Sequence, residues 1–326
     1  MTPAALRALL ARVPQLPLFA RPTALEPMAR LSERLGGGPK LFVKRDDAIP
    51  LGFGGNKIRK LAFVAARAQA DGADTLITAG GVQSNHARAT ASTAARLGMR
   101  AALVINGRPP DKPAANALLD SILGAEIVYV GSRDERMPGM QHVAERLKGE
   151  GRKPFVIPVG ASTPLGALGF VQGVVELLDQ MPAPDFIFHA TSSAGTQAGL
   201  VAGCRLLGLP TRVMGISADE SAAVIQSEVR GIIEGLPDVL DVKADELQRG
   251  TPIEIDDTFV GEGYGIPTPA SREAIEITAR TEGFFLDPTY TAKAMAGLIA
   301  YVRQQRLKEG ETVVFWHTGG QVGLFA

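Results

Sequence analysis

Short apolar runs of three to six residues alternate along the chain with stretches whose apolar positions recur every three or four residues. These are the periods of buried strands and of helices. Strands are expected at residues 41–44, 75–78, 101–105, 127–130, 155–157, 185–190, 213–216 and 312–316. Helices are expected at 58–70, 83–97, 118–123 and 140–148, and a long helix ends near Leu178. Gly98 follows the second of these, where a helix commonly stops on a residue tolerant of positive φ. Alternating strands and helices require right-handed crossovers, so the fold class is α/β, with parallel sheets flanked by helices. Residues 160–169, rich in glycine and small side chains, form the expected crossing between two lobes.

The length supports two lobes, since 326 residues exceed the usual reach of one core. Charge narrows the partners: 34 basic and 34 acidic residues leave no electrostatic footprint for nucleic acid or an anionic membrane, and a small molecule fits better. Cys204 is the sole cysteine, so no internal disulfide can form. Arg7, Arg12 and three prolines interrupt the first 18 residues, which do not read as a signal peptide. No apolar stretch is long enough for a bilayer span. The expectation is a soluble, cytoplasmic protein.

The stretch Gly52-Phe53-Gly54-Gly55-Asn56-Lys57-Ile58-Arg59-Lys60 carries the first candidate chemistry. A glycine-rich loop runs into a helix whose start presents Lys57 and, three positions later on the same face, Lys60. Glycine permits close approach of a ligand to backbone, so Lys57 can meet a bound cofactor at a fixed place. Two further segments share one plan. Residues 74–86 and 185–197 each read as a strand, a turn of small polar residues and a helix start: Gln83-Ser84-Asn85-His86 in the first, Ser192-Ser193-Ala194-Gly195-Thr196-Gln197 in the second. Such turns aim backbone N–H groups and a helix dipole at one point and bind anions, although the same residues also serve as plain caps. Neither carries a dinucleotide or nucleoside-triphosphate signature.

A serine hydrolase is disfavoured. Ser84 and His86 are two apart at a helix start and do not face one another, and no G-x-S-x-G elbow is present. His86 is expected to order its turn through a hydrogen bond. The four histidines and one cysteine lack metal-ligand spacing, so no metal site is expected. Two of the four tyrosines, Tyr264 and Tyr290, lie in loops rich in glycine or proline and are candidates for hydroxyl chemistry. Thr318 follows the last strand, beyond a carboxyl end where open parallel sheets bind ligands.

Five ordered blocks now stand together: Gly54-Gly55-Asn56-Lys57-Ile58-Arg59-Lys60-Leu61, Gln83-Ser84-Asn85-His86, Gly195-Thr196-Gln197-Ala198-Gly199, Asp287-Pro288-Thr289-Tyr290 and His317-Thr318-Gly319-Gly320. In order and spacing the chain resembles the D-cysteine desulfhydrase and 1-aminocyclopropane-1-carboxylate (ACC) deaminase family, from Lys44 nearly to the C-terminus. The resemblance implies a two-lobed fold-type II architecture, similar to tryptophan synthase β: residues 1–55 and 170–326 form a large cofactor-binding domain and residues 56–169 a smaller inserted one. It also implies pyridoxal 5'-phosphate in the cleft and a homodimer.

By the same resemblance Lys57 forms the Schiff base, Lys60 and the turn Ala194, Gly195, Thr196 and Gln197 hold the phosphate, and Asn85 contacts the ring hydroxyl. Ser84, Asn85 and His86 form the expected substrate site, and Lys57, Ser84, Tyr264 and Tyr290 the catalytic set. ACC deaminases carry an acidic residue directly after the second tyrosine, where this chain has Thr291. A neutral partner for the ring nitrogen, Thr291 or Thr318, makes a weaker electron sink and favours substrates with a good leaving group at Cβ. β-Elimination of D-cysteine to pyruvate, ammonia and sulfide is therefore the first expectation. L-Cysteate sulfo-lyase, ACC deaminase or a related amino-acid lyase or racemase are the alternatives, with a non-catalytic anion-binding protein as the alternative from another class.

Overall fold

A computed structural model describes residues 1–326. Its ten strands are β1 (Leu25–Pro27), β2 (Lys40–Arg45), β3 (Thr75–Gly81), β4 (Arg100–Asn106), β5 (Glu126–Val130), β6 (Pro154–Val156), β7 (Phe186–Thr191), β8 (Arg212–Ser217), β9 (Ile253–Asp256) and β10 (Thr312–His317). They form a six-stranded sheet in the order β1-β2-β10-β7-β8-β9 and a four-stranded sheet in the order β5-β4-β3-β6. Every strand of the smaller sheet lies between residues 75 and 156, and the larger sheet draws on both sides of that segment.

All eight anticipated strands are present, and the two unanticipated ones lie at the edges of the larger sheet. β1 has only three residues, one of them proline, and pairs antiparallel to β2, so this sheet is not wholly parallel as expected. An edge strand tolerates both features, because its outer side needs no ladder partner. β9 alternates isoleucine with acidic residues and pairs parallel to β8. The remaining pairings are parallel, with β10 in register between β2 (Val313 opposite Leu41) and β7 (Val314 opposite Ile187).

Strand alternation sorts the apolar residues into layers. Val314 and Trp316 of β10 join a core shared by both sheets, which includes Leu76, Leu103, Phe63, Val174, Ile187 and Val213. Val313 and Phe315 face the other way, onto Phe188, Met295 and Leu298. A third cluster, Ile77, Val104, Met140 and Leu147, covers the outer face of the smaller sheet.

Residues 160–169 are not the open crossing that their composition suggests. The helix Pro164–Leu178 begins inside them, capped by Thr163, whose hydroxyl accepts from Gly166 N. The small residues serve helix packing instead: a methyl on Gly169 would stand 2.4 Å from Arg59 O, and one on Gly199 2.2 Å from Ala167 O. Three helices, Asn56–Ala70, Pro164–Leu178 and Gly195–Leu207, thereby pack with backbones nearly touching.

The first of these helices is fixed from beneath by a buried ionic cluster. Arg59 donates to both oxygens of Asp46 at 2.7 Å and to both of Glu176 at 2.9 and 3.0 Å. Lys44 Nζ donates to Glu176 at 2.6 Å and Trp316 Nε1 to Asp46 at 2.7 Å. Two cations thus face two anions, and burial alone would raise the Glu176 pKa, but Arg59 and Lys44 outweigh it and hold the carboxyl at about 2. Removing one member leaves an unpaired buried charge, a loss of about 3–5 kcal/mol in such clusters.

Candidate active site

A cleft of about 820 Å³ opens between the two sheets, and nearly all of its wall follows the carboxyl ends of parallel strands. Gly80, Gly81 and Ser84 to His86 end or follow β3, Arg133 and Arg136 follow β5, Val159 and Gly160 follow β6, Ala190 to Ala194 and Thr196 end or follow β7, Asp219 follows β8, and Thr318 and Gly319 follow β10. Parallel sheets aim their loops and helix N-termini at this end. Asn56, Lys57, Tyr264 and Tyr290 complete the wall.

Lys57 stands at the first turn of the helix Asn56–Ala70, with Nζ 3.4 Å from Ser193 Oγ. The helix can start here because Gly54 and Gly55, both at positive φ, turn the chain tightly: Gly55 N donates to Asp46 O, and a methyl on Gly55 would meet Thr318 O at 2.9 Å. Burial pushes the Lys57 amine down to about 8. Lys60 lies one turn on, fully buried, its amine donating to Ser162 Oγ at 3.2 Å. Burial, and then the charge of Lys57, hold its pKa well below the ordinary lysine value. Neither amine has a carboxylate partner, so the pair lacks an anion.

The second polar turn supplies the place for one. Ala194 takes φ 61°, strained for a residue with a side chain, and directs the chain into the helix Gly195–Leu207. Gly195 N bonds Ser193 O, which leaves the N–H groups of Thr196 and Gln197 without intrahelical partners at the positive end of the helix dipole. A methyl on Gly195 would stand 2.9 Å from Lys60 Nζ, so glycine is what admits the lysine. Thr196 Oγ1 accepts from Asn56 Nδ2 at 2.9 Å. Gln197 points away, donating to Glu254 O at 2.7 Å beneath the sheet, and only its backbone remains at the turn.

At the first turn Ser84 caps the helix Asn85–Arg96, its oxygen accepting from Ala87 N while its own proton stays free for a ligand. Asn85 Oδ1 accepts from Asn116 Nδ2 at 2.9 Å, which fixes the amide so that Nδ2 is left to donate. Thr78 Oγ1 donates to Ile157 O at 2.8 Å and therefore accepts from His86 Nε2, also at 2.8 Å. His86 thus orders its turn as expected, and its Nδ1 stays buried without a protein partner. Burial first, then the charges of Lys57 and Lys60, hold this ring well below its usual pKa, so it is neutral.

The two loop tyrosines meet, Tyr264 OH and Tyr290 OH lying 2.5 Å apart at the cleft. The threonines separate. Thr318 lines the cleft, whereas Thr291 is buried behind it with its hydroxyl donating to Asp287 Oδ1 at 2.7 Å and accepting from Asp287 N at 2.8 Å. Asp287 also accepts from the N–H groups of Thr289, Tyr290 and Thr291, so the Asp287-Pro288-Thr289-Tyr290 block caps the helix Thr291–Arg303 and sets the position of Tyr290.

A family model described as "Pyridoxal-phosphate dependent enzyme" matches residues 16–319. The chain belongs to the pyridoxal-phosphate-dependent enzymes. It is 38% identical over 325 residues to a D-cysteine desulfhydrase of Klebsiella pneumoniae (strain 342), covering 97% of each chain. A solved ACC deaminase homologue has 38% identity and a TM-score of 0.90, covering 98% of this chain and 96% of that one. The processed form of threonine deaminase isoform 2 from Solanum lycopersicum superposes with a TM-score of 0.70 at 20% identity over 97% of this chain and 85% of that one, which is a likeness of fold. These relatives bear out the two-sheet fold-type II reading of the sequence and the cofactor it implied.

The residues present fit pyridoxal phosphate. Lys57 and Lys60 lack a counter-anion, and the helix start at Gly195 offers N–H groups and hydroxyls beside Lys60, the donor set that a phosphate takes. The sequence reading missed Arg133, Arg136 and Asp219 in the cleft wall, and behind it Ser162 and Asn116, which hold Lys60 and Asn85. Each lies outside the five motif blocks and reaches the site through the tertiary fold; for the two arginines a polar turn after a parallel strand is the available signal. No cluster of three histidine, cysteine, aspartate or glutamate side chains is placed to hold a metal ion, and no helix is long and apolar enough to cross a membrane.

Proposed function

We propose that this enzyme is a carbon–sulfur lyase that cleaves D-cysteine by β-elimination, releasing pyruvate, ammonia and sulfide. The observation that carries the reading is 38% identity over 97% of the chain to a D-cysteine desulfhydrase, combined with a cleft whose amine, anion turns and tyrosine pair suit that chemistry. The six-stranded sheet belongs to the larger lobe and the four-stranded sheet of residues 75–156 to the smaller, with the helices Asn56–Ala70 and Pro164–Leu178 packed together at their junction, and the protein works as a cytoplasmic homodimer.

Lys57, Lys60 and the Ala194 to Gln197 turn would hold the cofactor, with Asn85 toward its ring hydroxyl and Thr318 toward its ring nitrogen. When bound, pyridoxal phosphate supplies an electron sink for the pair left at the substrate's Cα. Ser84 Oγ and the N–H groups of its turn bind the substrate carboxylate and orient Cα. Lys57 Nζ, with its amine pKa about 8, takes the Cα proton; the C–H pair becomes the Cα–Cβ double bond and the Cβ–S pair departs on sulfur, leaving an enamine that one water hydrolyses to pyruvate and ammonia. Both tyrosine hydroxyls stay protonated, because burial raises their pKa values, and the one proton that their mutual hydrogen bond leaves free is donated beside the reacting atoms. Thr291 has no part in this scheme, its hydroxyl being spent on Asp287.

The test is keto-acid release by the purified enzyme from D-cysteine, L-cysteine, L-cysteate and ACC. D-Cysteine should give the highest kcat/KM. Faster turnover of ACC, or none of D-cysteine, would overturn the substrate assignment and leave the cofactor assignment in place.

A further inference from the structure

Arg136 is a cleft residue that the scheme above leaves unused. It opens the helix Arg136–Gly149, with Nε donating to Asn106 Oδ1 at 2.8 Å and Nη2 donating to the same oxygen. Asn106 is neutral, and Nη1 makes no hydrogen bond to protein. The one carboxylate in the cleft wall, Asp219, pairs with Arg133 at 3.6 Å, while Arg136 forms no ion pair. Burial and the neighbouring charge of Arg133 lower its pKa, as befits a cation held partly desolvated without a counter-anion.

Its place within the cleft is also defined. A methyl on Gly81, three residues before Ser84, would stand 3.9 Å from Arg136 Nη2, and the guanidinium shares the cleft wall with both tyrosines, near enough to feel them. The guanidinium therefore stands in the cleft wall beside both the turn that would take the α-carboxylate and the tyrosines, within reach of a side chain extending from a substrate held at Ser84. We propose that Arg136 is a specificity residue that receives a negatively charged Cβ substituent, so that the cleft selects amino acids whose side chain is an anion or leaves as one. For D-cysteine that group is the departing hydrosulfide, which carries away the Cβ–S electron pair; the proposal rests on the cleft being an amino-acid lyase site.

The decisive comparison uses aspartate and asparagine, near-isosteres that differ in side-chain charge and carry no leaving group on Cβ. Their affinities for the holoenzyme are read from the change in cofactor absorbance, for both enantiomers. Native enzyme should bind aspartate about 10- to 100-fold more tightly than asparagine, the range of one charge-assisted hydrogen bond. Arg136→Met should bring that ratio near one, and Arg136→Lys should retain part of it, with the cofactor spectrum of the free enzyme unchanged in both. An equal loss for aspartate and asparagine would assign Arg136 to the α-carboxylate instead. A native preference for asparagine would hand the wall to Asp219, whose Oδ1 is buried without a partner. Either result overturns the proposal. Failure of the lyase reading shows separately, as the absence of keto acid from D-cysteine.

Discussion

Tyr264 and Tyr290, 26 residues apart in the chain, share a hydrogen bond of 2.5 Å between their hydroxyls, with rings edge to face at 5.7 Å. One hydroxyl donates and the other accepts, so one proton of the pair stays free for the cleft. Burial raises the pKa of both, and Tyr290, further disfavoured by the charge of Tyr264, lies well above 10. The pair is therefore a donor at neutral pH and not a base, in keeping with the base role proposed for Lys57.

Tyr290→Phe should accordingly lower kcat by about 10²–10⁴-fold, the range for a positioned acid, with KM changed much less. Tyr264→Phe, which removes only the partner of Tyr290, should lose less. Steady-state keto-acid release measures both, and a larger loss from Tyr264→Phe would reverse the roles.

Thr291 and Thr318 are separable by the kind of damage their removal does. Thr291→Ala deletes a hydroxyl buried between two atoms of Asp287 and leaves that carboxylate and N–H short of a partner, at a cost of about 1–3 kcal/mol. Denaturant unfolding should show this loss, with kcat/KM within a few-fold of native. Thr318→Ala should do the reverse, sparing stability, shifting the cofactor absorbance and lowering kcat by roughly 3- to 10-fold, as for one neutral hydrogen bond. A spectral shift in Thr291→Ala as large as that in Thr318→Ala would show that Thr291 reaches the ring after all.

The contrast between these threonines marks what the sequence can and cannot convey. Lys57, Ser84 and Gly195 can be picked out from the sequence because each stands in a local pattern, a strand or glycine-rich loop running into a helix start. Thr291 is misplaced by the same reasoning, since its nearness in sequence to Tyr290 says nothing of direction: Asp287, four residues earlier, turns its hydroxyl inward as part of a helix cap. The alternation of strands and helices foretells the parallel sheets but not β1 or β9, edge strands of three and four residues. Asn116 and Arg136 come from two separate helices and Ser162 from a loop. Their meeting depends on sheet order and on helices packed through glycine, which are properties of the tertiary fold.

Lys57 offers a prediction in which pH acts as the probe. Its amine has a folded pKa of about 8 against 10.5 in the unfolded chain, because burial penalises the charge. Between those values the unfolded chain holds a proton that the cofactor-free folded enzyme has released, so stability rises with pH across that window, and below about 8 the folded state bears the whole penalty. Lys57→Met carries no such charge. Its stability advantage over the native cofactor-free enzyme should be greatest below pH 8 and shrink steadily toward pH 10.5, as followed by urea unfolding at fixed ionic strength. The same titration governs cofactor uptake, since only the neutral amine attacks an aldehyde: the attachment rate should climb roughly tenfold per pH unit below 8 and level off above it. Borohydride fixation should label the peptide bearing Lys57 in native enzyme and nothing in Lys57→Met. A stability gap that stays constant from pH 8 to 10.5, together with an uptake rate indifferent to pH, would mean that Lys57 keeps an ordinary amine and that another group opens the reaction.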